Sequence, residues 1–315
     1  MPILILALLL TCSLAQADVT RKHHSTSQFM GASEATSTDY YTADRSATES
    51  TTKWTKGAMK TMTGGKPVES SNIVRLDKEL VWTADPKKKQ YSEMTFAEFR
   101  KQLEESQKEL KKAEDENELP DTTAEDLYEW TTEDKSDPNP KTINGWTCRN
   151  IHVIATGVNK QNAEDKVWLT LDAWNSPEVP GADEIHGFYE RYMKALGIDV
   201  QAMTSGLSQA AILYQKQMDT LIEAGKKAPG EPVTSMLEIK RRQIKGPNIG
   251  KAIGEGAMES MTGKLPFGMK KKKTEPEAPE YIEKVKFSVM TELTEATSGA
   301  VDANKFEVPA GFKKK

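Results

Sequence analysis

The sequence predicts an α+β protein in which amphipathic helices lie across one face of a curved antiparallel sheet. Three observations carry that prediction. First, two strand-like runs, Trp146–Thr156 and Lys166–Trp174, flank a polar connection rich in Gly, Asn and Asp, the pattern of an antiparallel hairpin with a loose tip. In the second run Val167, Leu169, Leu171 and Ala173 alternate with Trp168, Thr170, Asp172 and Trp174, so one side is dry. Second, Ile185, Phe188, Tyr189, Tyr192, Met193 and Leu196 recur at helical spacing from about Asp183, and Gly197 supplies a stop. Third, Tyr281–Leu293 alternates again, with Val285, Phe287, Val289, Thr291 and Leu293 on one face.

The chain opens on MPILILALLLTCSLAQA, an apolar run closing in Ala15-Gln16-Ala17, the small-x-small pattern cut by a signal peptidase before Asp18. A periplasmic or secreted location follows, although the usual positive charge at the start is missing. A lipoprotein signal with its lipid on Cys12 is the competing reading, but Thr11 fits poorly before that Cys. The run is shorter than the ~20 apolar residues of a membrane span. Removing the first 17 of 315 residues leaves 298, expected to form a single domain over 18–315. Only Cys148 then remains, so no intramolecular disulfide can form; a small buried apolar residue is the bland expectation for it, a reactive thiol the sharper one.

Asp18 to Lys56 is rich in Ser and Thr and suits strands at a sheet's margin, with disorder as the rival. A meander follows: Ser71–Asp77, Leu80–Ala84 and, after the turn Asp85–Lys89, Gln90–Met94. Thr95-Phe96-Ala97-Glu98 is a capping box, and Phe96, Phe99, Leu103 and Leu110 extend a helix to about Ala113. Glu114 to Pro140 carries eleven acids against Lys135 alone, a solvated and partly disordered insertion over 114–140. Ser205 to about Ala224 is a second helix behind the hairpin, and Thr234–Ile244 restarts strand structure. Lys245 to Pro279 is a Gly-, Met- and Lys-bearing loop, and Lys305–Val308 a last short run. Within the loop GAMESMTGK (256–264) echoes GAMKTMTGG (57–65) at six of nine positions, too short a match for a repeat architecture.

Chemistry is sparse. The net charge of −4 gives no nucleic-acid footprint. No HExxH, G-x-S-x-G, P-loop or dinucleotide fingerprint occurs, so no metal and no cofactor are expected and the chain is expected not to be an enzyme. His23 and His24 form a tandem in a polar run near the new N-terminus; a metal site completed by a distant residue is the sharper reading, and idle exposed histidines the plainer and favoured one. Cys148 and His152 share a face but stand about 13 Å apart at strand rise, too far for activation. What remains is apolar volume, either filled by side chains or left as a slot for a greasy ligand. Lys270, Lys271, Lys272 and Lys273, beside Phe267 and Met269, offer peripheral contact with an anionic membrane, against the plainer expectation of a solvated loop.

The succession of NIVRLDKELVWTADPKKKQYSEM, a capped helix, NGWTCRNIHV, VWLTLDAW, further helices and NKFEVPAGFKK resembles a bacterial exported domain family whose fold is similar to the lipoprotein carriers LolA and LolB. The likeness covers most of Asn72–Trp174 and Tyr281–Lys314; the insertion and the Lys-rich loop depart from it. The resemblance implies an unclosed half-barrel with helices covering its concave face and an apolar cavity beneath, lined by Val167, Leu169, Leu171, Val285, Phe287 and Val289 and roofed by Phe188 and Tyr192. Its implied work is the binding of a lipid or other hydrophobic ligand. The alternative is an envelope interaction module with a filled core and no ligand.

Overall fold

The structure, a computed structural model, describes residues 18–29, 31–102, 104–105, 127–197, 215–225, 227–244 and 281–315. The signal segment 1–17, the helix beyond 105, the first half of the acidic insertion, the start of the second helix behind the hairpin and the loop carrying Lys270–Lys273 lie outside the described residues.

The strands are β1 (Val19–Gln28), β2 (Gly31–Tyr41), β3 (Arg45–Gly57), β4 (Val68–Arg75), β5 (Leu80–Asp85), β6 (Gln90–Thr95), β7 (Tyr128–Asp134), β8 (Lys141–Ile143), β9 (Trp146–Asn159), β10 (Lys166–Ser176), β11 (Glu231–Ile244), β12 (Tyr281–Ser298) and β13 (Lys313–Lys314). The helices are α1 (Ala58–Thr63), α2 (residues 96–102), α3 (Ala182–Leu196) and α4 (Gln215–Gly225). One sheet runs β13-β6-β5-β4-β3-β2-β1-β12-β11-β10-β9-β7, with β8 paired to β9 off that path. The described edge strands, β13 and β7, do not pair with each other, so the sheet is open. Every pairing is antiparallel except that of β13 with β6. The fold is therefore α+β, built on one unclosed sheet.

Local chemistry explains most elements. The β9–β10 hairpin pairs Lys166 with Val158 and Ala173 with Ile151, so Val167, Leu169 and Ala173 meet Ala155, Val153 and Ile151 on one face, all buried. Asn144 and Gly145 both take positive φ, the type I′ requirement, and turn β8 into β9. The capping box forms as expected: Thr95 N donates to Glu98 Oε2 at 2.7 Å and Glu98 N to Thr95 Oγ1 at 3.1 Å. Gly197 closes α3 in the left-handed region at φ 66°.

Three differences from the sequence reading are physical. The Ser/Thr-rich first strands sit mid-sheet, β1 lying between β2 and β12, because hydroxyl side chains can pair across strands, as Ser27 Oγ and Ser33 Oγ do at 2.8 Å. The second half of the acidic stretch forms β7 on β9. The last short run is a 3₁₀ turn over Ala303–Phe306, capped by Asp302, whose carboxylate accepts from Asn304 N. It drives Phe306, fully buried, against Ala47, Ile73 and Trp82.

Register shows which faces are shared. Ala47, Ile73 and Trp82 form one row on the face beneath Phe306. On the opposite face Val19 pairs with Tyr41, and α3 places Ile185 and Phe188 on that pair. Following the alternation of β1 and the rows Ser27–Val289, Val289–Leu237 and Leu237–Leu171 leads to the face where α4 places Met218, Leu221 and Ala224 on Val167 and Leu169. Both helices thus lie on the same face of the sheet, α3 seated on β2 and the 3₁₀ turn at Leu76–Lys78, and α4 on β9 and β10.

Candidate ligand-binding site

Between the two helix seats run β1, β12 and β11, and their side chains change character along the strands. At one end lie Phe287, Val289 and Leu237, with Leu171 of β10 at the rim of the α4 seat, all half-buried, and Phe29 at the β1–β2 turn, 47% exposed with its ring centroid 6.2 Å from that of Phe287. Next come Ser25 and Thr291, which are register partners. At the far end, beside α3, is a polar pocket of about 540 Å³ lined by Arg21, His23, Asp39, Tyr41, His186 and Glu231 among others. From Arg21 to Phe29 is roughly 26 Å at strand rise.

The pocket is assembled by strand alternation. Val19, Arg21, His23 and Ser25 face the helix side of β1, and pairing brings Tyr41, Asp39 and Ser37 opposite the first three. Two glycines let the walls close in. Gly181, before α3, has φ +77° and a Cβ there would stand 2.4 Å from Val19 Cγ2. Gly230, before β11, has φ +96° and a Cβ there would stand 2.2 Å from the Ser176 carbonyl carbon. The turn at Gly230 delivers Glu231 to Arg21.

The resulting electrostatics are tight. Arg21 Nη1 donates to Glu231 Oε2 at 2.7 Å, and the two side chains are only 7% and 10% exposed. His186 Nε2 stands 2.7 Å from the other oxygen of Glu231. Asp39 Oδ1 accepts from Thr48 Oγ1 at 2.6 Å, while Asp39 Oδ2 lies 3.4 Å from His23 Nε2. Burial lowers the His23 pKa, helped by Arg21 and opposed by Asp39, so the imidazole is neutral near pH 7. Burial also raises the Tyr41 pKa, as do neighbouring Tyr189 and Asp39; the two tyrosine hydroxyls are 3.2 Å apart. Among the described residues, Arg21 Nε and His23 Nδ1 are buried without a hydrogen-bond partner.

The residues singled out from sequence fall into separate places. Val167 and Leu169 are fully buried under α4, with Leu171, Leu237 and Phe287 packed at the border of that cluster. Phe188 and Tyr192 belong to the cluster under α3, with Val19 and Tyr41. Val289 is half-buried on the strip between. A bulge pairs Val285 with Lys240 but Phe287 with Ile239; those partners are adjacent and point to opposite faces, so Val285 leaves the face that Phe287 shares. Cys148 is buried beside Val179, Val233 and Leu293, its thiol 3.4 Å from the Trp146 carbonyl oxygen.

Arg21, His23, Asp39 and Glu231 were missed. The available signal was charge on the inward side of an alternating strand that begins with a dry Val19, and the tandem histidines concealed it: His23 and His24 point to opposite faces.

No protein-family model matches the chain, and no curated protein matches it. Among solved structures it is similar to "Structure of PNGF-II in C2 space group", at 9% sequence identity and a TM-score of 0.25, over 95% of this chain and 31% of that one. The chain thus spans less than a third of that protein's length, and at this level of similarity neither fold nor activity transfers.

Proposed function

We propose that this is an exported, non-enzymatic protein that holds a lipid or another hydrophobic ligand on the helix-bearing face of its sheet, taken as the concave face of a half-barrel. The observation that carries the reading is the gap that the described helices leave between their seats. Leu237, Val289 and Phe287, with Leu171 at the rim of the α4 seat, form an apolar strip there that is only half-buried, while the core beneath α4, against which Leu171, Leu237 and Phe287 pack, is filled by Val167 and Leu169. A ligand chain laid along the strip completes the burial that side chains leave unfinished. Burying about twelve methylenes contributes about 10 kcal/mol at ~0.8 kcal/mol each, the same order as the ~4–15 kcal/mol cost of association. Contacts at the head of the ligand therefore decide the net affinity.

Export rests on the apolar opening run and its Ala15-Gln16-Ala17 close. Native mass spectrometry of gently purified protein tests the ligand reading. A bound lipid mass is expected, reduced in Val289→Glu, which charges the strip without touching the filled core. A bare mass in wild type, together with no uptake of an added dodecyl amphiphile by calorimetry, overturns the reading.

A further inference from the structure

We infer that the pocket beside α3 is a recognition site for a neutral, hydroxyl-bearing head group, a glycosyl or other polyol, and that it discriminates against phosphate, carboxylate and ammonium heads. The identification of the site as the head end of an amphiphile rests on the ligand reading above; the pocket chemistry stands by itself.

The argument is one of unmet donors and acceptors. Arg21 is buried, and its Nε–H has no partner among the described residues, so a ligand must offer it an acceptor. His23 presents the complementary need. The Asp39 carboxylate beside Nε2 favours the tautomer that carries its proton on that nitrogen, leaving Nδ1 as a buried, unpartnered acceptor that needs a donor. A hydroxyl both accepts and donates, and a polyol brings several. An anionic oxygen only accepts, and an ammonium only donates. The charge sum agrees. Arg21 faces two carboxylates, Glu231 and Asp39, so even with His186 protonated against Glu231 no positive excess remains to hold an anion. An ammonium would lie against the Arg21 guanidinium. Ser25, Ser37 and Thr291, also in the lining, add hydroxyls able to serve either role.

The pocket opens onto the apolar strip, since Thr291 and Val289 share a face two residues apart on β12, and Ser25 and Ser27 do so on β1. A head in the pocket thus leaves its chain over Val289 and Leu237.

Titration calorimetry with dodecyl maltoside, dodecyl phosphate and dodecylammonium, each as monomer, compares heads at constant chain, with maltose alone as a fourth ligand. Dodecyl maltoside is expected to bind at least about tenfold tighter than either charged analogue, because each mismatched head leaves a buried group unpaired. His23→Leu should erase the preference over dodecyl phosphate, whose mismatch lies at Nδ1, while the preference over dodecylammonium, whose mismatch lies at Arg21, persists; His23→Phe serves if circular dichroism shows the Leu variant unfolded. Equal affinity for all three amphiphiles overturns the head-group assignment and leaves the apolar strip standing. If no amphiphile binds, the strip reading falls, and maltose then decides the pocket: weak binding lost in the His23 variant upholds it, and no binding overturns it.

Discussion

The Arg21–Glu231 pair should behave as a buried cross-link between β1 and the start of β11, and its removal is measurable. Glu231→Ala leaves the Arg21 guanidinium, 7% exposed, facing Asp39 and the distant Pro180 carbonyl at 3.5 Å. Breaking one half of a buried pair costs about 3–5 kcal/mol, because the survivor keeps its desolvation penalty without its partner. Here His186 loses its 2.7 Å contact as well, but its side chain is 65% exposed and rehydrates with little loss. Replacing both partners, Arg21→Met with Glu231→Leu, removes the charge and the penalty together and should recover most of the loss. Urea unfolding followed by tryptophan fluorescence reads the effect as a shift in midpoint at constant slope, and heating should lower Tm by about 5–15 °C in the single variant. A single-variant cost below about 1 kcal/mol, or a double variant no more stable than the single, would refute the claim that the pair is dry.

Three further outcomes follow from the same geometry. Leu169→Ala, in the filled core beneath α4, should cost about 2–5 kcal/mol in urea unfolding, and Val289→Ala, on the half-buried strip, less than about 1; equal costs would mean that the strip is packed. Cys148 is fully buried and its pKa raised, chiefly by burial, so a thiol reagent should leave native protein unlabelled and react only as the protein unfolds. Asp77, whose pKa is held low mainly by its hydrogen bonds from Arg75, contributes stability that is present above the unfolded carboxylate value near ~3.9 and lost as pH falls through the lower folded value. Asp77→Asn should therefore be less stable than wild type at pH 7, with the gap closing below about pH 4 in pH-dependent melting.

What could be read from the chain beforehand tracks the range of the interactions. The β9–β10 hairpin, the capping box at Thr95 and Glu98, and α3 with its Gly197 stop are all settled by residues within a few positions of one another, and they stand where periodicity put them. The place of β1 is not of that kind. Its neighbours are β2, next in sequence, and β12, which pairs Val19 with Ser298, and nothing within the local run VTRKHHSTSQ announces a partner so far along the chain. The same blindness hid the pocket. Arg21 looks like a solvated charge until Glu231 is brought to it by the turn at Gly230, and His23 looks like half of an idle tandem until pairing sets it beside Asp39. Bulges compound the difficulty: alternation along Tyr281–Leu293 assigns Val285 and Phe287 to one face, and a single inserted residue on β12 separates them. Apolar periodicity found the part of the helix-bearing face that fills with side chains, under α4. The polar end of that face is made of residues whose types, met singly, belong on a surface, and only the register of β1 against β2 and β12 gives them a common pocket.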